Sequence, residues 1–75
     1  MEKHLIVVTC SDSGHEALYV NGTLRHQDET IYATDIAEWA KDGPIQFSHM
    51  VLRMPDEVDD FPEQFEQCLL WPVES

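Results

Sequence analysis

The chain has 75 residues, 43% of them hydrophobic, and sets fifteen Asp and Glu against four Lys and Arg for a formal net charge of −11. That length holds one domain, residues 1–75, with a thin stability margin, since so short a chain buries only about 60% of its unfolded surface. The bases Lys3, Arg25, Lys41 and Arg53 stand singly, which argues against direct nucleic-acid binding and against adsorption to an anionic membrane.

Taken in chain order, "HLIVVTC" is apolar on both alternating faces, Leu5 and Val7 against Ile6 and Val8. A short run apolar on both faces predicts an interior strand. "SDSGH" follows with turn chemistry: Ser and Asp side chains bond their own backbone, and Gly14 accepts positive φ. The strongest local signal comes next. "EALYV-NG-TLRHQ" sets Asn21-Gly22 between two strand-forming runs, as a type I′ hairpin requires. A regular ladder from that turn predicts that Val20 opposes Thr23, Tyr19 opposes Leu24, Leu18 opposes Arg25 and Ala17 opposes His26.

A polar link, "QDET", leads to a short helix. Thr34 is the expected N-cap, with Asp35 as a favourable negative charge in the first turn. Ile36, Trp39, Ala40 and Gly43 recur at helical spacing, and Gly43-Pro44 is the stop. "IQFSHMVLRM" then alternates as a strand, with Ile45, Phe47, His49 and Val51 on one face and Ser48, Met50, Leu52 and Met54 on the other. After an acidic loop, Asp60 with Glu63 reads as a capping box and Pro62 suits a first turn. Phe61, Phe65, Cys68 and Leu69 follow the stripe of an amphipathic α-helix ending at Trp71-Pro72. The expected fold is therefore α+β, in the order β-β-β-α-β-α. It is a two-layer domain: a four-stranded, mostly antiparallel sheet with two short helices on one face.

No apolar stretch reaches the roughly 20 residues of a membrane span, and Leu5–Val8 is shorter than a signal-peptide core. The expected compartment is the cytoplasm. Cys10 and Cys68 both neighbour apolar residues, which suits reduced, structural thiols rather than a disulfide framework.

Within "TCSDSGH", Cys10, Asp12 and His15 have the residue types of a thiol nucleophile, an orienting acid and a base. All three share one short turn, whereas a catalytic constellation is held by separate rigid segments. A plain turn is the expectation, and no enzyme activity is assigned. His4, His15, His26 and His49 lack C-x2-C or H-x3-H spacing, so no zinc site is expected. The segment "PDEVDDFPEQFE" lacks the D-x-D-x-D-G loop of a calcium site. No nucleotide-binding or hydrolase motif occurs, and no cofactor is expected. No motif specific to a family covers any large share of the chain.

Charge is the remaining signal. Residues 54–75 carry −7 and residues 1–53 carry −4. The expected function is a protein-binding module that presents Asp56, Glu57, Asp59, Asp60, Glu63 and Glu66 to a basic protein surface. Two alternatives stand beside it: a DNA mimic that occupies a nucleic-acid-binding protein, and a minimal thiol or metal site at Cys10 and His15. A solvated face that only keeps a small domain soluble accounts for the same charge.

Overall fold

The computed structural model describes residues 2–41 and 43–72. Strands β1 (Lys3–Cys10), β2 (Glu16–Val20), β3 (Thr23–Asp28) and β4 (Ile45–Leu52) form one sheet. Their order across it is β3-β2-β1-β4. Helix α1 (Ala33–Ala40) precedes β4, and a 3-10 helix (Phe65–Leu70) follows it. The fold is α+β with a mostly antiparallel sheet, in the element order expected. Among the described residues no helix is long and apolar enough to cross a membrane.

β1 is the interior strand that its two-faced apolar pattern predicts. It pairs antiparallel with β2, Leu5 opposite Val20, and parallel with β4, Leu5 opposite Phe47. The β3–α1–β4 connection joins the two edges of the sheet, so β3 and β4 run parallel without being neighbours.

The two helical segments do not share a face, which corrects the two-layer expectation. Ile36 and Trp39 of α1, with Ile31 and Ile45, pack on Leu5, Val7, Leu18 and Val20. Phe61, Phe65, Cys68 and Trp71 pack on the opposite face, against Ile6, Val8, Ala17 and Tyr19. The physical reason lies in β1 itself: both of its faces are apolar, so each must be covered, and one short helix cannot cover two sides of a sheet. The domain has three layers.

Asn21 has φ 52° and Gly22 φ 87°, the pair of positive values that a type I′ turn demands. The predicted register holds for Val20–Thr23 and Tyr19–Leu24 and then breaks, because Leu18 pairs with His26 and Ala17 with Gln27. Arg25 is the extra residue of a β-bulge. The bulge moves His26 onto the face of Leu18, where α1 lies. Both side chains meet that helix: the Arg25 guanidinium carbon stands 5.8 Å from the Trp39 ring centroid, and His26 Nε2 lies 3.9 Å from Asp35.

Two helix boundaries also differ from expectation. α1 begins at Ala33 with Tyr32 as N-cap, so Thr34 sits inside the first turn. Asp35 serves this end instead, its carboxylate accepting the Tyr32 N–H at 2.9 Å. The expected second α-helix is a 3-10 helix that starts four residues later than Phe61. No capping box forms at Asp60; its carboxylate accepts the N–H of the next residue, Phe61, at 3.0 Å. A 3-10 helix repeats every three residues, which turns Phe65, Cys68 and Trp71 inward. Leu69 and Leu70 are thereby exposed, at 58% and 86%. The α-helical stripe placed Leu69 inside, and that assignment is corrected.

The entry to this segment is stapled to the hairpin tip. Leu24 donates its N–H to Glu63 (2.8 Å) and Phe65 donates to the Gly22 carbonyl (2.8 Å), with Thr23 and Gln64 as bridge partners. Deeper in, the Tyr19 hydroxyl donates to the Pro62 carbonyl at 2.7 Å and lies 3.3 Å from Cys68 Sγ.

Candidate functional site

The "SDSG" segment is a tight turn, as its composition predicts. Cys10 and His15 are joined through the backbone, the Cys10 N–H donating to the His15 carbonyl at 2.8 Å and the Gly14 N–H to the Cys10 carbonyl at 2.8 Å. Gly14 takes φ 79°. The Ser13 hydroxyl accepts the His15 N–H at 3.2 Å. Side chains diverge from this frame: Cys10 is buried in the sheet, while His15 is exposed.

Beside this turn opens a cleft of about 410 Å³. One wall is the turn, through Ser13 and His15. A second wall is the end of β3, through Asp28 and Glu29, and a third is the loop that carries Asp59 and Asp60. Both acidic walls are held by short backbone contacts. Asp28 accepts the Glu29 N–H at 2.7 Å, and Asp60 accepts the Phe61 N–H at 3.0 Å. Among the described residues, no Lys or Arg lines the cleft. The nearest ion pair on the turn is Arg53 with Asp12, 3.6 Å apart and exposed, a geometry of little energetic weight.

Cys10 itself does not line this cleft but is buried against two residues that do, Ser13 and Met54. Burial pushes its thiol up, but the Ser13 hydroxyl and backbone groups of Ser13, Met54 and Asp12 hydrogen-bond the sulfur and together hold it below the ordinary value of 9.0. Donors directed at sulfur favour the thiolate. Ser13 and Met54 also line the cleft, so its wall and the Cys10 environment are built from the same residues. Cys68 has the opposite balance, because burial dominates and pushes its thiol up. Both cysteines are free and buried.

Asp56, Glu57, Asp59, Asp60, Glu63 and Glu66 are all exposed. Only Asp59 and Asp60 of the six line the cleft. Glu63 lies on the hairpin staple, and Glu66 projects from the 3-10 helix. Glu74, counted in the C-terminal charge, lies outside the described residues. Sequence reasoning missed Asp28 and Glu29, which it read as part of a polar link. Two adjacent acids at a strand end were visible, but their proximity to residues 59 and 60 depends on chain segments thirty residues apart. No group of three or more His, Cys, Asp or Glu side chains suited to a metal ion occurs among the described residues.

Two further polar arrangements lie on the α1 face. Lys3, Arg25, His26, Asp35, Glu38 and Trp39 line a second cleft of about 400 Å³, with charges of both signs. A hydrogen-bonded row also crosses three strands: Thr9 Oγ1 lies 2.7 Å from Glu16 Oε2 and 2.8 Å from His49 Nε2. A carboxylate only accepts, so the Thr9 proton goes to Glu16, and His49 must donate from Nε2. The other Glu16 oxygen accepts the Ile31 N–H at 2.8 Å, which ties the approach to α1 to the sheet.

Comparison of the chain with protein-family models, with curated proteins and with solved structures gives no match.

Proposed function

We propose that this protein is a binding module that takes a basic side chain of a partner protein into the cleft between Asp28, Glu29, Asp59 and Asp60. One observation carries the reading: four acidic residues from two distant chain segments line one cleft that, among the described residues, no Lys or Arg lines. Like charges gathered without a counter-charge repel one another, and a guanidinium or ammonium entering among them relieves that repulsion. The reading is one of recognition, without chemistry on the partner. A DNA mimic would need carboxylates strung along a surface at phosphate spacing; carboxylates around one cleft suit a single cationic group better.

The test is titration of the protein with an Arg- and Lys-containing peptide by calorimetry, at low and raised salt. Binding should weaken as salt is raised, because the contacts are exposed charge pairs. Asp28→Asn combined with Asp59→Asn should weaken it further, whereas Asp56→Asn with Glu57→Gln, outside the cleft lining, should change it far less. Equal losses from both double variants would reduce the effect to overall charge and remove the cleft from the proposal.

A further inference from the structure

The two edges of the sheet are finished differently. At the β3 edge, Arg25 forms a bulge, Asp28 and Arg25 add charge, and Gln64 bridges Thr23. These are the usual protections of an exposed edge. β4, at the other edge, is eight residues long and has no bulge in its pairing with β1. Residues 43–52 contain no Asp, Glu, Lys or Arg, the longest such stretch in a chain of net charge −11.

The direction of the free backbone groups follows from the β1–β4 ladder. The Pro44 and Leu52 carbonyls both accept N–H groups from the β1 side, from Lys3 (3.1 Å) and Ser11 (2.9 Å). Alternate residues of a strand turn their N–H and C=O to opposite sides, so Ile45, Phe47, His49 and Val51 direct theirs away from β1. Among the described residues, none of these groups has a hydrogen-bond partner. Their side chains share the α1 face, where Phe47 is 49% exposed.

We propose that β4 is the interface for a second copy of this chain, pairing antiparallel with its own equivalent about a two-fold axis at Ser48. The strand is self-complementary in that register. Ile45 meets Val51 of the other copy, β-branched against β-branched, and Phe47 meets His49, aromatic against aromatic. Each of the four outward residues then exchanges backbone hydrogen bonds with an outward residue of the other copy. Ser48 faces Ser48 in the close, non-hydrogen-bonded position on the axis. Charge selects the same place, since two copies of net charge −11 can approach most closely along their uncharged strand.

Sedimentation equilibrium on the intact protein, from about 1 µM to about 1 mM, should show the mass rising from 8.7 kDa toward twice that value. Added salt should tighten the association, because it screens repulsion between two acidic chains. That trend is opposite in sign to binding of a basic peptide in the acidic cleft, so the two proposals fail separately. Phe47→Pro removes an outward donor without removing a bond to β1. It should weaken association about tenfold or more, as should Phe47→Glu, which places a charge on the interface. Circular dichroism confirms that each variant is folded, and either folded variant suffices. On mild oxidation, Ser48→Cys should cross-link two chains rapidly, while Gln46→Cys, which opposes Met50 rather than itself, should not. A monomer at every concentration, association that weakens with salt, a dimer indifferent to both Phe47 variants, or equal cross-linking at positions 46 and 48 would each overturn the proposal.

Discussion

Tyr19 and Cys68 meet in the core with 3.3 Å between hydroxyl oxygen and sulfur, and the same hydroxyl donates to the Pro62 carbonyl at 2.7 Å. Since Tyr19 has one proton and gives it to Pro62, the Cys68 thiol is the donor in their contact. The central sheet is thereby tied to the C-terminal segment through polar atoms that burial keeps neutral.

This pair predicts how stability responds to alkali. Burial raises the Tyr19 hydroxyl above its ordinary 10.0, and burial raises Cys68 above 9.0. A group whose folded value is raised contributes stability that is complete below its unfolded value and is lost as pH rises toward the folded one. Unfolding free energy should therefore decline above about pH 9. Cys10 opposes this, because its value is lowered and its thiolate is favoured in the folded protein. Urea titrations across that range should show a shallower decline for Cys68→Ala than for the parent chain. An equal slope would remove Cys68 from the account.

The two cysteines should also differ in native-state alkylation. Both are buried, so labelling requires local opening, but Cys10 holds more thiolate than Cys68 at any given pH. Mass spectrometry after brief exposure to iodoacetamide should find Cys10 modified first. Cys68 labelled first would contradict the assigned hydrogen bonds.

At the hairpin tip, Gly22→Val should cost about 1–3 kcal/mol, because a β-branched residue is forced to positive φ. A side chain there meets nothing within 4 Å, so the loss would come from the backbone alone. Thermal unfolding measures it. Unchanged stability would mean that the turn relaxes to another type and that its bonds to residues 63–65 can follow.

The three-residue repeat of the C-terminal helix makes a paired prediction. Phe65 is half-buried and meets the Tyr19 ring edge-on, with centroids 5.6 Å apart. Phe65→Ala should cost about 2–3 kcal/mol, below the range for a fully buried aromatic. Leu69→Ala should change stability by no more than about 0.5 kcal/mol, since that side chain is exposed. Comparable losses at both positions would restore an α-helical stripe.

For the row across the sheet, the bond to Thr9 predicts that neutral His49 is the Nε2–H tautomer. Nitrogen chemical shifts read this directly. Thr9→Val should abolish the preference and destabilise the fold by about 1 kcal/mol, through the hydrogen bond lost from Glu16.

Local signals in the chain were sufficient wherever structure depends on neighbours in sequence. The alternation in "HLIVV" identified an interior strand, Asn21-Gly22 identified the hairpin tip, and "IQFSHMVL" sorted its side chains correctly to two faces. Each is a matter of strand period or of allowed φ, which a few adjacent residues decide. Layer, register and helix type were not decided there. β1 needed cover on both faces, so α1 and the 3-10 helix separated. Trp39 and Asp35 on α1 met Arg25 and His26 at a bulge that no local pattern announces. Phe65, Cys68 and Trp71 point inward together only in a three-residue repeat, which the spacing of Phe61, Phe65 and Leu69 concealed. The acidic cleft has the same origin. Asp28 and Asp59 are thirty-one residues apart in sequence, and only the strand order and the return of the C-terminal segment across the sheet place them around one opening.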